Sequence, residues 1–205
     1  MRNLALIGCV AMVMSLLGSA AQANILPNSS FEDGIGSAPN GWSFQTTEST
    51  HAWNNNSALS HSGDRSVSMT DPSGSSEYDA LATDNAYAID GTKDYLLSAY
   101  VKLDAFTGNA DMWVSWYGAS GWLGNSAVVG SLTGTIGWTE VEGVVTPLAG
   151  ATGAQICLGY HAAATATGTV TYDDVSFDVV PEPATLTLLA LGAGLVAVRS
   201  RRNRK

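Results

Sequence analysis

Between Asn24 and Val180 the apolar positions recur every second residue, in short runs broken by Gly, Ser, Asn and Asp clusters. Helical periodicity is nearly absent. Such a pattern predicts β-strands, with side chains pointing alternately to two faces. The clearest are "RSVSMT" (65–70), "DYLLSAYVKL" (94–103), "DMWVSWYG" (111–118), "TEVEGVVTPL" (139–148), "AQICLGYH" (154–161) and "TVTYDDVSFDVV" (169–180). "EYDALATDNAYAI" (77–89) predicts a further strand with a turn at Asp84-Asn85. Short strands with frequent turns imply an all-β fold, a jelly-roll sandwich of two antiparallel sheets. No internal repeat is visible.

Alternation also sorts side chains. Tyr95, Leu97, Ala99 and Val101 share one face; Met112, Val114 and Trp116 oppose Trp113, Ser115 and Tyr117. The last strand breaks its own parity. Val170 and Tyr172 are even-numbered, whereas Val175, Phe177 and Val179 are odd. A bulge at Asp173-Asp174 reconciles the two sets, because one extra residue flips every later side chain to the other face.

The two ends follow different patterns. Leu4 to Leu17 is nearly unbroken apolar sequence after Arg2, followed by Ala21-Gln22-Ala23. This predicts a signal peptide at residues 1–23, cleaved after Ala23. An N-terminal membrane helix and a lipoprotein signal at Cys9 are the alternatives. At the other end, Pro181-Glu182-Pro183 precedes fifteen largely apolar residues (184–198) and a basic cluster at 199–205 that includes Arg199, Arg201 and Arg202. As a helix the apolar run would be about 22 Å long, short of the roughly 30 Å hydrocarbon core. It spans only with thinning of the bilayer, its arginines on the cytoplasmic side and the body outside.

Charge sharpens once these ends are set apart. Residues 24–180 carry seventeen Asp+Glu against three Lys+Arg (Arg65, Lys93 and Lys102), a net charge of −14. Phosphate backbones repel such a body, which excludes nucleic acid as a partner and favours divalent cations or neutral ligands. Cys157 has no partner for an intramolecular disulfide once Cys9 leaves with the signal, and reads as a small buried hydrophobe.

The segments "NILPNSSFEDG" (24–34), "APNGW" (38–42), "LSHSGDRSVSM" (59–69), "DYLLSAYVKL" (94–103), "GWTEVEGVVT" (137–146) and "TVTYDDVSF" (169–177), in this order, resemble a carbohydrate-binding module of the galactose-binding-like class. The resemblance implies a structural Ca²⁺ joining Glu32 to Asp173 or Asp174, completed by backbone carbonyls near Ser62 and Asp64. Calcium takes six to eight hard oxygens, so mixed carboxylates and carbonyls suit it. The tail "VPEPATLTLLALGAGLVAVRSRRNRK" is similar to a PEP-CTERM sorting signal. That implies an exosortase-type membrane protease as partner, transit through the inner membrane of a Gram-negative bacterium, and delivery to the cell surface or an exopolysaccharide matrix.

Aromatic residues supply the binding candidates. Sugar rings stack their C–H faces on indole and phenol rings, with polar groups nearby to hold the hydroxyls. All six Trp lie in the body. The resemblance places Trp42 and Trp138 in the core, and parity buries Trp116. Trp113, Tyr117 and Trp122, the last on a loop, are the expected ligand platform, with Trp53 as an outlier. Asn54, Asn55, Asn56 and Asn125 are candidate hydrogen-bonding partners. These aromatics filling the second sheet face is the alternative. No H-E-x-x-H, G-x-S-x-G, P-loop or C-x-x-C motif is present, and His51, His61 and His161 lack metal-ligand spacing. No catalytic residue is assigned. The expected function is an exported, non-catalytic polysaccharide-binding protein. The alternatives are a structural matrix protein without a sugar site and a small secreted glycan-active enzyme.

Overall fold

The computed structural model describes residues 24–45, 49–71, 78–161 and 167–180. The segment expected to be a signal peptide (1–23) and the C-terminal tail, with Pro181, Glu182, Pro183, Arg199, Arg201 and Arg202, lie outside them. In chain order the strands are β1 (Gly34–Ile35), β2 (Ala38–Pro39), β3 (Trp42–Phe44), β4 (Thr50–Asn55), β5 (Arg65–Asp71) and β6 (Tyr78–Thr83). They continue with β7 (Tyr87–Ala88), β8 (Tyr95–Gly118), β9 (Gly121–Asn125), β10 (Val129–Val145), β11 (Gly153–His161) and β12 (Gly168–Val179). A single 3-10 turn, Ser57–Leu59, is the only helical element among the described residues. All strand pairs are antiparallel.

The strands predicted at 94–103 and 111–118 are one strand, β8. Its residues Tyr95 to Asp104 pair with β12, whereas Asn109 to Tyr117 pair with β11. The chain thus passes from one layer of a sandwich into the other without a break. The first layer runs β4-β5-β12-β8-β10, and the second β3-β6-β11-β8-β9. Parity flips at the crossing. Odd residues from Tyr95 to Leu103 are buried, then even ones from Phe106 to Trp116. Ala105, with φ 49°, takes up the change. The predicted bulge in β12 is present. Its register slips between Asp173 and Ser176, Asp174 has φ 46°, and Val170, Tyr172, Val175 and Phe177 all reach the core.

The two inward faces meet in one apolar core. Tyr95 stacks on Phe177 at 4.7 Å, and Phe106 meets Tyr160 edge-on at 5.3 Å. Each large side chain buried there contributes about 1.5–3 kcal/mol. Tyr172 crosses the sandwich. Rooted in the first layer, its hydroxyl donates between Gly159 O at 2.5 Å and Asp111 O at 3.0 Å in the second. Burial raises its pKa well above the ordinary tyrosine value, so it stays a donor. Trp42 and Trp116 are buried in this core as expected, but Trp138 is not. It stands half-buried on the outward face of the first layer, edge-on to His61 at 5.8 Å. Thr139, Val141 and Val145 lie opposite the core residues Val101, Ala99 and Tyr95, so the even-numbered Trp138 falls on the other face.

Candidate functional site

The outward face of the second layer is built by residues whose neighbours in sequence fill the core. On β8 these are Trp113, Ser115 and Tyr117; on β11 they are Gln155, Cys157 and Gly159; on β6 they are Ala80 and Ala82. Sequence parity therefore grouped Trp113 with Tyr117 correctly. It could not tell that Trp113 is only 2% exposed. The ring lies over Gly159, where a Cβ atom would sit 2.9 Å from its Cη2, and packs in a small cluster with Ala80, Ala82 and Cys157. Small residues on the adjacent strands let the large indole lie down across the sheet. Trp113 is thus part of the packed face rather than an open platform. Burial pushes the Cys157 thiol up to about 11, so it is neutral and unreactive, as a packing residue should be.

Trp122 behaves differently. It lies on strand β9, not on a loop, and is 61% exposed. The hairpin from β8 pairs Gly118 with Gly121 and Tyr117 with Trp122, then slips so that Trp116 faces Gly124 and Ser115 faces Asn125. Strict alternation would send Trp122 and Asn125 to opposite faces, since they are three residues apart. The bulge at Leu123-Gly124 brings them together, and Gly124, with φ 145°, has the backbone freedom it needs.

The result is a small organised polar network beside an open indole. Trp122 Nε1 donates to Asn125 Oδ1 at 3.3 Å, and Ser115 Oγ donates to the same oxygen at 2.9 Å. Both bonds fix the amide so that its NH₂ points away from them. Gln155 Nε2 donates to Thr83 O at 2.7 Å, which leaves Gln155 Oε1 to accept from Tyr117 Oη at 3.1 Å. Gln155 was not singled out from the sequence. The signal was there, because it shares parity with Cys157, opposite Ile156 and Leu158.

Trp53 is spoken for elsewhere. It sits on β4 of the first layer, donates from Nε1 to Phe31 O at 2.8 Å, and carries Arg65 over its ring at 4.0 Å. Partly buried against the core, it is separate from Trp122. Asn54 is likewise on the first layer, bonded to Ser66 and Ser68, and Asn56 caps the 3-10 turn. Asn55 pairs with Arg65 at the end of β4.

Glu32, Ser62, Asp64, Asp173 and Asp174 do converge, around the turn that precedes β5. Glu32 Oε1 accepts the amides of Asp64 and Arg65, both at 3.0 Å. Asp173 Oδ2 accepts those of His61 and Ser62 at 2.8 and 3.1 Å. Asp174 takes Ser62 Oγ and His61 Nδ1, each at 2.7 Å. Gly63, with φ 59°, lets Glu32 approach, since a Cβ there would fall on the carboxylate. Burial pushes Asp173 up to about 6, against the opposing pull of the Ser62, Asp174 and His61 amides. The turn is thus clipped to both ends of the domain by amide-to-carboxylate bonds. Among the described residues no three carboxylate, histidine or cysteine side chains group as metal ligands. A calcium ion would take six to eight oxygens, whereas Glu32 and Asp173 are met here by amide hydrogens.

Residues 179–205 match the PEP-CTERM protein-sorting motif, which implies export. No curated protein sequence matches the chain. Among solved structures it resembles an arabinose-bound GH51 α-L-arabinofuranosidase (TM-score 0.61, 18% identity), covering 79% of this chain and 27% of that one. It also resembles a family 16 carbohydrate-binding module (0.53, 18%), covering 75% of this chain and 99% of that one. A third is the CBM22-1 xylan-binding domain from Paenibacillus barcinonensis (0.52, 16%), covering 80% and 99%. At such identities the likeness is one of fold. The chain spans only about a quarter of the arabinofuranosidase, whereas the two modules match nearly end to end. The fold is the jelly roll of carbohydrate-binding modules.

Proposed function

We propose that this is an exported, non-catalytic protein of the cell surface or extracellular matrix that binds polysaccharide through the outward face of its second layer. One observation carries the reading: Trp122, largely open to solvent, is held by Asn125 beside Tyr117 and Gln155. An indole offers its face to the C–H side of a sugar ring, and the Asn125 NH₂ and Tyr117 oxygen lie within the same patch to meet hydroxyls. The carbohydrate-binding modules among its structural neighbours support a sugar as ligand, and the sorting motif supports the destination. On this reading an exosortase-type protease cuts near Pro181-Glu182-Pro183 after the chain has crossed the inner membrane of a Gram-negative bacterium.

The test is binding of the full-length protein to soluble xylan and β-1,4-galactan in affinity electrophoresis. Trp122→Ala should weaken binding roughly 30-fold, a loss of about 2 kcal/mol, while Trp53→Ala leaves it unchanged. Equal binding by wild type and Trp122→Ala would sink the site. For the tail, mass spectrometry of surface material should find a C-terminus near Pro183; an intact Lys205 would rule out cutting.

A further inference from the structure

The outward face of the first layer carries a feature that the proposed function does not use. A shallow, solvent-open groove of about 120 Å³ runs over β4, β5, β12 and the first half of β8. Six of its seven lining residues are polar or charged (Asn54, Ser68, Lys102, Asp104, Thr169 and Thr171) and the seventh is Leu59, so hydroxyl and charged groups sit among apolar side-chain stems.

Lys102 and Asp104 flank the buried Leu103, so both point outward into this groove. Neither side chain makes an ion pair or hydrogen bond among the described residues, although they share one face two positions apart. Lys102 is half-buried and is one of only three cations between Asn24 and Val180. The floor, in contrast, is already organised. Asn54 Nδ2 donates to Ser66 Oγ at 3.0 Å and to Ser68 Oγ at 3.3 Å, and the Thr70 and Thr169 hydroxyls are bonded at 2.8 Å. Asn54 Oδ1 remains as an acceptor. An ordered hydroxyl floor with an unspent cation and anion above it can satisfy several hydroxyl groups at once.

An aromatic wall stands beside it. Tyr100 precedes Lys102 on the same face, and His61 stacks on Tyr100 at 3.5 Å. Trp138, where the register slips opposite Lys102, meets His61 edge-on. This is the combination of ring face and hydrogen-bonding groups that sugar recognition needs. One cation and one anion give this face no net charge, and the −14 body repels polyanions, so the ligand that fits is neutral.

We infer that this groove is a second binding site for a neutral, hydroxyl-rich polysaccharide, on the opposite side of the sandwich from Trp122. The inference rests on the proposed glycan-binding function. Two sites facing away from each other let one protein bridge two polysaccharide strands, with avidity beyond either site alone.

The full-length protein is tested against beads coated with xylan, β-1,4-galactan or arabinan. Two variants close one site each: Trp122→Ala, and the double change Lys102→Met with Asp104→Asn, which preserves net charge. Wild type should agglutinate one bead type. Each variant should still bind those beads but agglutinate at least ten-fold less well, with an unchanged melting temperature. Combining all three changes should abolish binding. If the Lys102/Asp104 variant agglutinates like wild type, the second site is wrong and the Trp122 site stands. If Trp122→Ala binds and agglutinates like wild type while the Lys102/Asp104 variant does not bind, the second site stands and the Trp122 site falls. Wild type that binds no bead type overturns both.

Discussion

The two outward faces of this sandwich use aromatic residues in opposite ways. On the second layer, Ala80, Ala82 and Gly159 leave room for Trp113 to lie flat and disappear, and exposure is left to Trp122 on the neighbouring hairpin. On the first layer the corresponding positions carry Thr, Ser and Lys side chains of medium height, and the aromatic rings of Tyr100, His61 and Trp138 gather at one side. Facing outward is therefore not the same as being exposed.

That contrast is open to direct attack. The largest expected effect is on stability. Trp113→Ala should cost about 3–5 kcal/mol in urea unfolding, as for a buried indole; a loss below about 1 kcal/mol would mean that the face is not packed. The clip on the first layer should give a smaller, pH-dependent signal. Asp173 has a folded pKa of about 6 against the ordinary aspartate value of 3.8. A raised carboxylate pKa contributes stability that is complete below the unfolded value and is lost as pH rises through about 6. Between pH 7 and pH 5, wild type should thus gain about 1 kcal/mol relative to Asp173→Asn, measured by unfolding at both pH values; parallel pH profiles would refute it. Smaller still, Trp122→Ala and Lys102→Met should each change stability by less than about 0.5 kcal/mol. A large loss from either would show a packing role. Finally, since amides meet Glu32 and Asp173, we expect EDTA to leave Tm unchanged; a fall in Tm would show that calcium reinforces the clip.

Much of this architecture was legible in the chain. Alternation grouped Tyr95, Leu97, Ala99 and Val101 on one face, which is the buried one, and the parity break at Asp173-Asp174 marks the bulge that is there. The positions of Trp113 and Tyr117 on one face followed from the same rule. The failures differ in kind. Trp122 and Asn125 meet only because of a bulge in β9, which lies at a partly exposed edge and leaves no apolar parity break in the sequence. The slip in β10 does leave one, since Leu132 and Ile136 are even-numbered whereas Val141 and Val145 are odd, and the odd set puts Trp138 on the outward face. β8 hid a different kind of information. Its two halves read as two strands, because the flip at Ala105 interrupts the alternation without interrupting the chain.

By itself the sequence determined that the body is a sandwich of alternating strands, strongly acidic, and addressed for export by its C-terminal motif. These are properties of local pattern and composition, written residue by residue. The tertiary structure alone decided which outward rings are open, that Gln155 completes the polar patch, and that Lys102 and Asp104 face one groove without pairing. Each of those depends on the height of side chains from strands distant in sequence, and that height acts only once the register has brought them side by side.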